Sequence, residues 1–390
     1  MLYRELGKTK EKVSILGFGS MRLPTKGSND KIDTEEASKI LTYGLENGIN
    51  IIDTAYPYHC ESLDGDGNSE RFIGEFLKEN SYRDDVLVST KSPCWLIEKK
   101  EDFDDYLDKQ LKKLQTDYID LYMLHSLTEN DWKKVKELEV LDFLDDALSS
   151  GKINHVGFSA HTEIDYLIEI VDEYPKWEAV LTQMNYLDEY YQSGIMGLDY
   201  LKNLNIGTMI MEPLRGGRLV QNIPPEIQKM WNTAEVKRTP VEWALQYLWD
   251  REDVDCVLSG MSSLEQVKEN IEIASRSYPN SISESDSELI REVARKYRSY
   301  RGNECSYCGY CMPCPHGVNI VDCFKEYNIG HMLNNPHGSA LQYFTLIDEN
   351  ARADNCLDCG ECDFICTQML NIPEELEKVS EYFGLEFNHY

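Results

Sequence analysis

Between residue 13 and about residue 275, short apolar runs alternate with longer stretches whose apolar residues recur three and four positions apart. A short apolar run bounded by turn residues reads as a buried strand, and a stretch of helical period reads as an amphipathic helix. Regular alternation of the two is the pattern of strand-helix units. A parallel pair of strands needs a long crossover, and the apolar stripe of the crossover helix needs a sheet to cover. Eight strands are expected, at 13–20, 49–55, 86–91, 118–125, 155–160, 179–185, 207–211 and 256–260. The fold class that follows is α/β, a closed (β/α)8 TIM barrel. The stretch 69–79 shows the helical device, with Phe72, Ile73, Phe76 and Leu77 on one face behind Ser69 as the expected cap. Phe103, Tyr106, Leu107, Leu111 and Leu114 repeat it. These residues are packing residues and carry no chemistry.

The serine-rich stretch 276–286, with Pro279 and Asn280, reads as a loop leading to a last amphipathic helix through Tyr300. The barrel domain is therefore expected over 1–298 and a second domain over 299–390. Eight of the twelve cysteines lie in that second part, at 305, 308, 311 and 314 and again at 356, 359, 362 and 366. Three thiolates at two-residue gaps let one loop wrap three corners of an iron-sulfur cubane, and the fourth cysteine ligates the other cluster. The expected sets are Cys305, Cys308, Cys311 and Cys366 for one 4Fe-4S cluster, and Cys356, Cys359, Cys362 and Cys314 for the other. Gly309 and Gly360 follow the second cysteine of each run, where a bare backbone can curl tightly. Four thiolates also suit tetrahedral zinc. Zinc, however, commonly draws C-x-x-C pairs from two separate knuckles, and the consecutive gaps followed by Pro315 are those of a ferredoxin-type run. The second run departs from it, with Thr367 in place of proline. Helices near 321–333 and 340–347 are expected in the 41 residues between the runs. The second domain is thus expected to be a small α-helical, ferredoxin-like iron-sulfur domain.

A hydrophobic content of 42% over 390 residues allows a large core. No run of eighteen apolar residues appears, and the first ten residues lack the apolar stretch of a secretion signal. The expected location is the cytoplasm, with the thiols reduced; oxygen-sensitive clusters suggest an anaerobic cell. A net charge of −30 argues against nucleic acid and anionic membranes as partners. Cys60, Cys94, Cys256 and Cys323 read as ordinary reduced thiols.

Four ionisable residues end strands or follow just beyond them: Asp53, Tyr58, Lys91 and His125. At the C-terminal face of a barrel they converge. A carbonyl accepting hydride needs a proton donor at its oxygen, and a phenol is a weak donor near its ordinary pKa of about 10. A buried Lys91 ammonium held by Asp53 is expected to favour the phenolate and make Tyr58 a stronger acid, while His125 orients the carbonyl. His59 and Tyr56 read as loop residues.

Asp53-Thr-Ala-Tyr-Pro-Tyr58, Gly67-Asn-Ser-Glu70, Ser89-Thr-Lys91 and Leu124-His125 together resemble the aldo-keto reductases, over roughly residues 1–275. With Cys308-Gly-Tyr-Cys-Met-Pro-Cys-Pro315, the chain is most similar to the branch of that family with a C-terminal ferredoxin-type domain. The resemblance implies a catalytic tetrad of Asp53, Tyr58, Lys91 and His125 with Tyr58 as general acid, and NAD(P) as cofactor. It maps Ser159 and Gln183 onto the carboxamide-holding pair, Met211 onto the nicotinamide-stacking position, and Pro213, Leu214, Arg215 and Gly217 onto the pyrophosphate loop. Gly260, Ser262, Ser263, Gln266 and Asn270 fall at the adenosine end. Glu212 sets a carboxylate beside the pyrophosphate, to be neutralised by Arg215 or Arg218. Ser263 stands where an arginine for a 2′-phosphate is common, with Lys268 or Arg215 as the expected substitutes.

The leading expectation is an oxidoreductase moving hydride between NAD(P) and a small carbonyl or alcohol, accompanied by two 4Fe-4S clusters. Hydride carries two electrons and a cluster accepts one, so a flavin would be needed to couple them. A flavin-containing enzyme linked to ferredoxin or another electron carrier is therefore the second expectation, motivated by Met211 and Glu212. A non-catalytic redox-sensing or binding subunit is the third. Substrate choice is expected to lie in loops such as 59–67.

Overall fold

The structure is a computed structural model that describes residues 1–61 and 65–387. An antiparallel hairpin of β1 (Tyr3–Glu5) and β2 (Lys12–Ser14) precedes eight strands. These are β3 (Leu16–Gly19), β4 (Ile51–Asp53), β5 (Leu87–Ser92), β6 (Ile119–Leu127), β7 (Ile153–Ala160), β8 (Ala179–Gln183), β9 (Gly207–Met211) and β10 (Cys256–Ser259). They close a barrel in which each neighbouring pair is parallel, as the alternation predicts. The connecting helices are α1 (Thr34–Glu46), α2 (Ser69–Glu79), α3 (Glu101–Leu114), α4 (Glu129–Glu137), α5 (Val140–Ser149), α6 (Ile164–Glu173) and α7 (Gly194–Asn203). After β9 come α8 (Pro225–Trp231) and α9 (Pro240–Trp249), and after β10 comes α10 (Leu264–Ser275).

Two details differ from the sequence reading. The run 13–20 is not one strand, because Val13 and Ser14 pair with β1 and only Leu16–Gly19 enters the barrel. Leu6 and Val13 are fully buried and pack with Ile51, Leu121, Met123, Ala179, Leu181, Met209, Cys256 and Leu258, so the hairpin supplies part of the barrel's interior packing. Ser69 is not a cap but the first helical residue of α2. Its buried hydroxyl bonds the Ser20 hydroxyl at 3.0 Å and accepts from Thr54 at 2.9 Å.

The inward cluster fixes the phase of every strand. Side chains alternate across a strand with period two, so the interior positions Ile51, Leu87, Leu121, Met123, Leu181 and Met209 point their neighbours two residues on into the same lumen. Asp53, Ser89, Lys91, His125, Gln183 and Met211 therefore sit inward near the C-terminal strand ends. The register agrees, with Asp53 opposite Ser89 and Lys91 opposite Met123. The outward faces and the helices form the larger core, which includes Phe18, Phe76, Trp132, Phe158, Trp177 and Trp249.

The chain divides into two compact units, Met1–Gly216 with Val241–Ser283, and Gly217–Pro240 with the chain from Glu284 onward. The division falls at Ser283 rather than at residue 298, because α11 (Glu284–Arg298) groups with α8 of the inserted segment. Lys296 and Tyr300 both reach Glu226 on α8, at 2.6 and 2.9 Å. The second unit continues with α12 (Ile320–Met332), α13 (Pro336–Leu346) and α14 (Ile372–Phe387). Val318, Phe324, Tyr327, Tyr343, Leu376, Val379 and Phe383 form its own core. Asn319 and Asn335 cap α12 and α13, accepting from Asp322 N and Gly338 N. Among the described residues no helix is long and apolar enough to cross a membrane.

Candidate active site

β4, β5 and β6 deliver three of the four expected catalytic side chains to the C-terminal rim, and the turn after β4 delivers the fourth. Lys91 Nζ donates to both oxygens of Asp53 at 2.6 and 2.8 Å, to the Thr54 carbonyl at 2.8 Å and to the Tyr58 hydroxyl at 3.3 Å. Lys91 is 1% exposed and Asp53 3%, so neither charge has water as an alternative partner. Ser89 Oγ donates a third hydrogen bond to Asp53 at 3.0 Å. Burial alone would lower the Lys91 pKa, but Asp53 and Tyr58 more than offset it and hold the ammonium above its ordinary range. Burial pushes the Asp53 carboxyl up, with Lys91 and Ser89 opposing. The bidentate contact keeps the pair as carboxylate and ammonium.

The Tyr58 ring stands edge-on to the His125 ring, with centroids 5.9 Å apart, and the Trp95 ring lies 5.2 Å from that of His125. Burial raises the Tyr58 pKa, Lys91 pulls it down, and the net direction is upward. Lys91 acts in the expected direction, favouring the phenolate, but burial turns the net shift upward. Desolvation outweighs the ammonium, and Asp53 and Glu212 add to the rise. Tyr58 is consequently protonated at neutral pH, as a proton donor must be. Burial, then the Lys91 and His161 charges, keep His125 well below the usual histidine range, so its ring is neutral. His125 Nδ1 is buried and has no hydrogen-bond partner among the described residues.

A polar network unanticipated from the sequence stands behind this group. Thr90 and Gln110 donate to Glu70 Oε1 at 2.6 and 2.7 Å, Gln110 donates to the Lys91 carbonyl at 3.0 Å, and Lys113 pairs with Glu70 and Asp66 at 2.7 Å each. Asp66 closes the 59–67 loop, of which residues 62–64 lie outside the described residues. His59 is tied to the Asn29 and Ser20 carbonyls, and Tyr56 packs against Tyr106, as befits loop residues. Burial pushes the Cys94 thiol up to about 12, which leaves it inert.

On the neighbouring strands, Ser159 Oγ accepts from Ser126 N at 2.7 Å and keeps its own proton to donate. Gln183 Nε2 donates to Asp188 at 2.9 Å and keeps its carbonyl oxygen to accept. A carboxamide needs one donor and one acceptor, and this pair offers both. Met211 packs against the interior cluster. Pro213 is buried and Leu214 packs on the large core. Arg215 is 6% exposed and holds Asp188 through two bonds of 2.6 and 2.7 Å. Gly217 opens the segment that groups with the second unit, where Arg218 faces Glu326 and Ser339. Ser263 caps α10 by accepting from Gln266 N, the Gln266 side chain accepts from Ser262 N at 2.8 Å, and Asn270 donates to Ser259 at 3.0 Å. Gly260 is exposed at this rim, and Lys268 lies over the Tyr43 ring.

In the second unit the two cysteine loops share one backbone pattern. Tyr307 and Asp358, just before Cys308 and Cys359, are left-handed at φ 61° and 50°, and Gly309 and Gly360, just after, are at 74° and 70°. Cys305, Cys308, Cys311 and Cys366 line one pocket with Phe324 and Leu370. Thr367, the departure from proline, brings its hydroxyl within 3.4 Å of Cys308 Sγ. Cys314, Cys356 and Cys362 pack against the core of this unit, and Cys359 is exposed. Among the described residues no three His, Cys, Asp or Glu side chains are gathered as around a single metal ion.

The model of the aldo/keto reductase family matches residues 15–293. L-galactose dehydrogenase from Arabidopsis thaliana is 28% identical over 293 residues, 69% of this chain and 86% of its own. NADH-specific methylglyoxal reductase from Escherichia coli K12 is 26% identical over 337 residues, 74% of this chain and 97% of its own. The holo form of an aldo-keto reductase from Bacillus halodurans matches with a TM-score of 0.60 at 27% identity, covering 75% of this chain and 96% of that one. With the barrel, its rim and a family match over most of its length, the chain belongs to the aldo/keto reductase family and is an oxidoreductase.

Proposed function

We propose that the barrel interconverts small aldehydes or ketones with their alcohols, using NADH or NADPH, with Tyr58 as the proton donor to the carbonyl oxygen. The observation that carries this reading is the buried Lys91 ammonium, fixed by Asp53 and lying 3.3 Å from the Tyr58 hydroxyl. A reduced nicotinamide, when bound, would provide the hydride for the carbonyl carbon; the proton and the positioning come from the chain's own residues. Ser159 and Gln183 offer the donor and acceptor that orient a carboxamide. Tyr58 gives its proton to the oxygen as negative charge develops there, and becomes a phenolate. Lys91 stabilises that phenolate at short range in a dry site, where a charge contact is stronger than in water. Asp53 and the Thr54 carbonyl hold Lys91 in place, so no reorganisation accompanies the transfer. Neutral His125 offers a ring N–H to the same oxygen, and Trp95 beside it gives the substrate an apolar wall. A relative bearing the name methylglyoxal reductase supports a small carbonyl substrate.

The eight C-terminal cysteines fit two 4Fe-4S clusters. One is assigned Cys305, Cys308, Cys311 and Cys366, the other Cys356, Cys359, Cys362 and Cys314. Support comes from the repeated left-handed curl of both loops and from the four thiols ringing one pocket. Cubane ligands stand farther apart than the four of a tetrahedral ion, which suits a pocket-lining arrangement. The clusters would provide one-electron chemistry, and no step of carbonyl reduction requires it. Met211, packed into the barrel interior, gives the flavin reading no support of its own.

The test is anaerobic turnover of the purified protein with NADH or NADPH and a panel of small aldehydes, methylglyoxal among them. Consumption of the reduced nicotinamide dependent on the aldehyde is expected. Absence of turnover with every aldehyde and both nicotinamides would remove the proposal.

A further inference from the structure

After β4 the chain runs outward over residues 54–59, which carry Tyr58, and comes back over 66–69 into α2. The two runs are laced by backbone hydrogen bonds. Gly67 N donates to the Tyr56 carbonyl at 3.0 Å, Ser69 N to the Tyr58 carbonyl at 3.1 Å and Asn68 N to the His59 carbonyl at 3.1 Å. The approach is so close that a Cβ on Gly67 would fall 2.1 Å from the Tyr58 carbonyl oxygen. The returning run therefore sets where the backbone of Tyr58 lies.

A single buried ammonium grips both runs. Lys113, on α3, pairs with Asp66 and with Glu70 at 2.7 Å each, on either side of that lacing. It also lies over the Tyr56 ring, 4.5 Å from the centroid, and donates to the Tyr56 carbonyl at 3.4 Å. Glu70 is fully buried in the first turn of α2, where the helix dipole favours a carboxylate. Its Oε1 accepts from Thr90 and from Gln110, and Gln110 donates in turn to the Lys91 carbonyl. Gln110 and Lys113 stand three residues apart and so share one face of α3. One face of one helix thus holds both the turn that carries the phenol and the strand that carries the catalytic ammonium.

We propose that Lys113 is a positioning residue for proton transfer, setting the contact between Tyr58 and Lys91 without touching the substrate. This rests on the proton-donor reading above and adds the element that fixes its geometry. The Tyr58 hydroxyl stands 3.3 Å from Lys91 Nζ, at the long end of the hydrogen-bond range, so a small outward drift loses the contact that stabilises the phenolate. Lys91 is already held by Asp53 and the Thr54 carbonyl, which leaves the turn as the partner whose place must be set from elsewhere.

Single-turnover aldehyde reduction by the whole protein, in water and in heavy water, is compared between wild type, Tyr58→Phe, Lys113→Arg, Asp66→Asn and the double variant Lys113→Met with Glu70→Gln. The double variant removes both buried charges together, so neither is left unpaired. It is expected to slow the chemical step by on the order of ten- to a hundredfold and to raise the solvent isotope effect, with NADH binding unchanged. Lys113→Arg keeps both carboxylates paired and should restore the rate to within a few-fold of the wild type. Asp66→Asn, at the half-exposed end, leaves the buried pair with Glu70 intact and should slow the step a few-fold. In ligand-free protein with isotopically labelled tyrosine Cζ, the Tyr58 resonance, identified by its absence in Tyr58→Phe, should move in the double variant. A folded double variant with the wild-type rate overturns the assignment, and so does a rate lost together with NADH binding, which would mark a purely structural brace. Should the double variant not fold, Asp66→Asn decides on the same two criteria. An unmoved Tyr58 resonance overturns the assignment as well, and it does so even where the wild type reduces no aldehyde. Equal rates in wild type and Tyr58→Phe would instead remove the proton-donor reading, and this inference with it.

Discussion

At the residue scale the site depends on burial more than on any one charge. The Lys91–Asp53 pair stays ionised because five polar contacts hold it, and Tyr58 stays protonated because its surroundings disfavour a phenolate in the free enzyme. His125 offers a separate check. Burial holds its pKa well below the ordinary value, so the unfolded chain takes up a proton here as the pH falls through about 6.5 while the folded protein does not. Stability is fully present above that pH and is lost below it, at up to about 1.4 kcal/mol per pH unit until the folded site also titrates. Urea midpoints should therefore fall less steeply between about pH 7 and pH 5 in His125→Gln than in the wild type. Parallel slopes would show that His125 is not held neutral. Asp53, Lys91 and His125 were legible in the sequence because each sits at a strand end, in phase with the lumen-facing residues. The direction of the Tyr58 shift was not, because it depends on how deeply the folded chain buries the phenol, and neither was the Arg215–Asp188 pair, because it depends on which partner another loop brings near.

At the scale of elements, the eight barrel strands could be read because each is an apolar run followed by a helix. The hairpin β1–β2 could not, since strands of three residues show no period and 13–20 reads as one apolar run. In α14, Leu376, Val379 and Phe383 mark one face, yet the cysteines before it dominate any reading of the C-terminal hundred residues. Close helix packing was also invisible in the sequence. Gly74 of α2 lies so near the end of α3 that a Cβ there would fall 2.5 Å from both the Leu114 carbonyl carbon and the Lys113 carbonyl oxygen. These are backbone atoms, so the helices themselves would have to part. Gly74→Ala should cost about 1–3 kcal/mol in urea unfolding, despite alanine's better helix propensity. A variant as stable as the wild type would mean the two helices are not held at this distance.

At the scale of the whole molecule, two units divide the chain, and the family match to residue 293 leaves the cysteine-bearing part outside it. That part has a small core, and Cys305, Cys311, Cys314, Cys356, Cys362 and Cys366 all pack against it. An inorganic body held by those thiols would contribute to its folding directly. Anaerobically purified protein should contain about eight irons and eight sulfides per chain. Stripping them with a chelator should lower the helical signal of the second unit, while the barrel still unfolds at its original midpoint. Zinc in place of iron and sulfide would contradict the assignment.

The central claim is that Tyr58, set against a buried ammonium, delivers the proton to the substrate. Its most direct test is the single-turnover rate of aldehyde reduction by the protein preloaded with reduced nicotinamide, compared between wild type and Tyr58→Phe. A fall of at least about a hundredfold, with nicotinamide binding retained, is the predicted result. A rate within a few-fold of the wild type would contradict it.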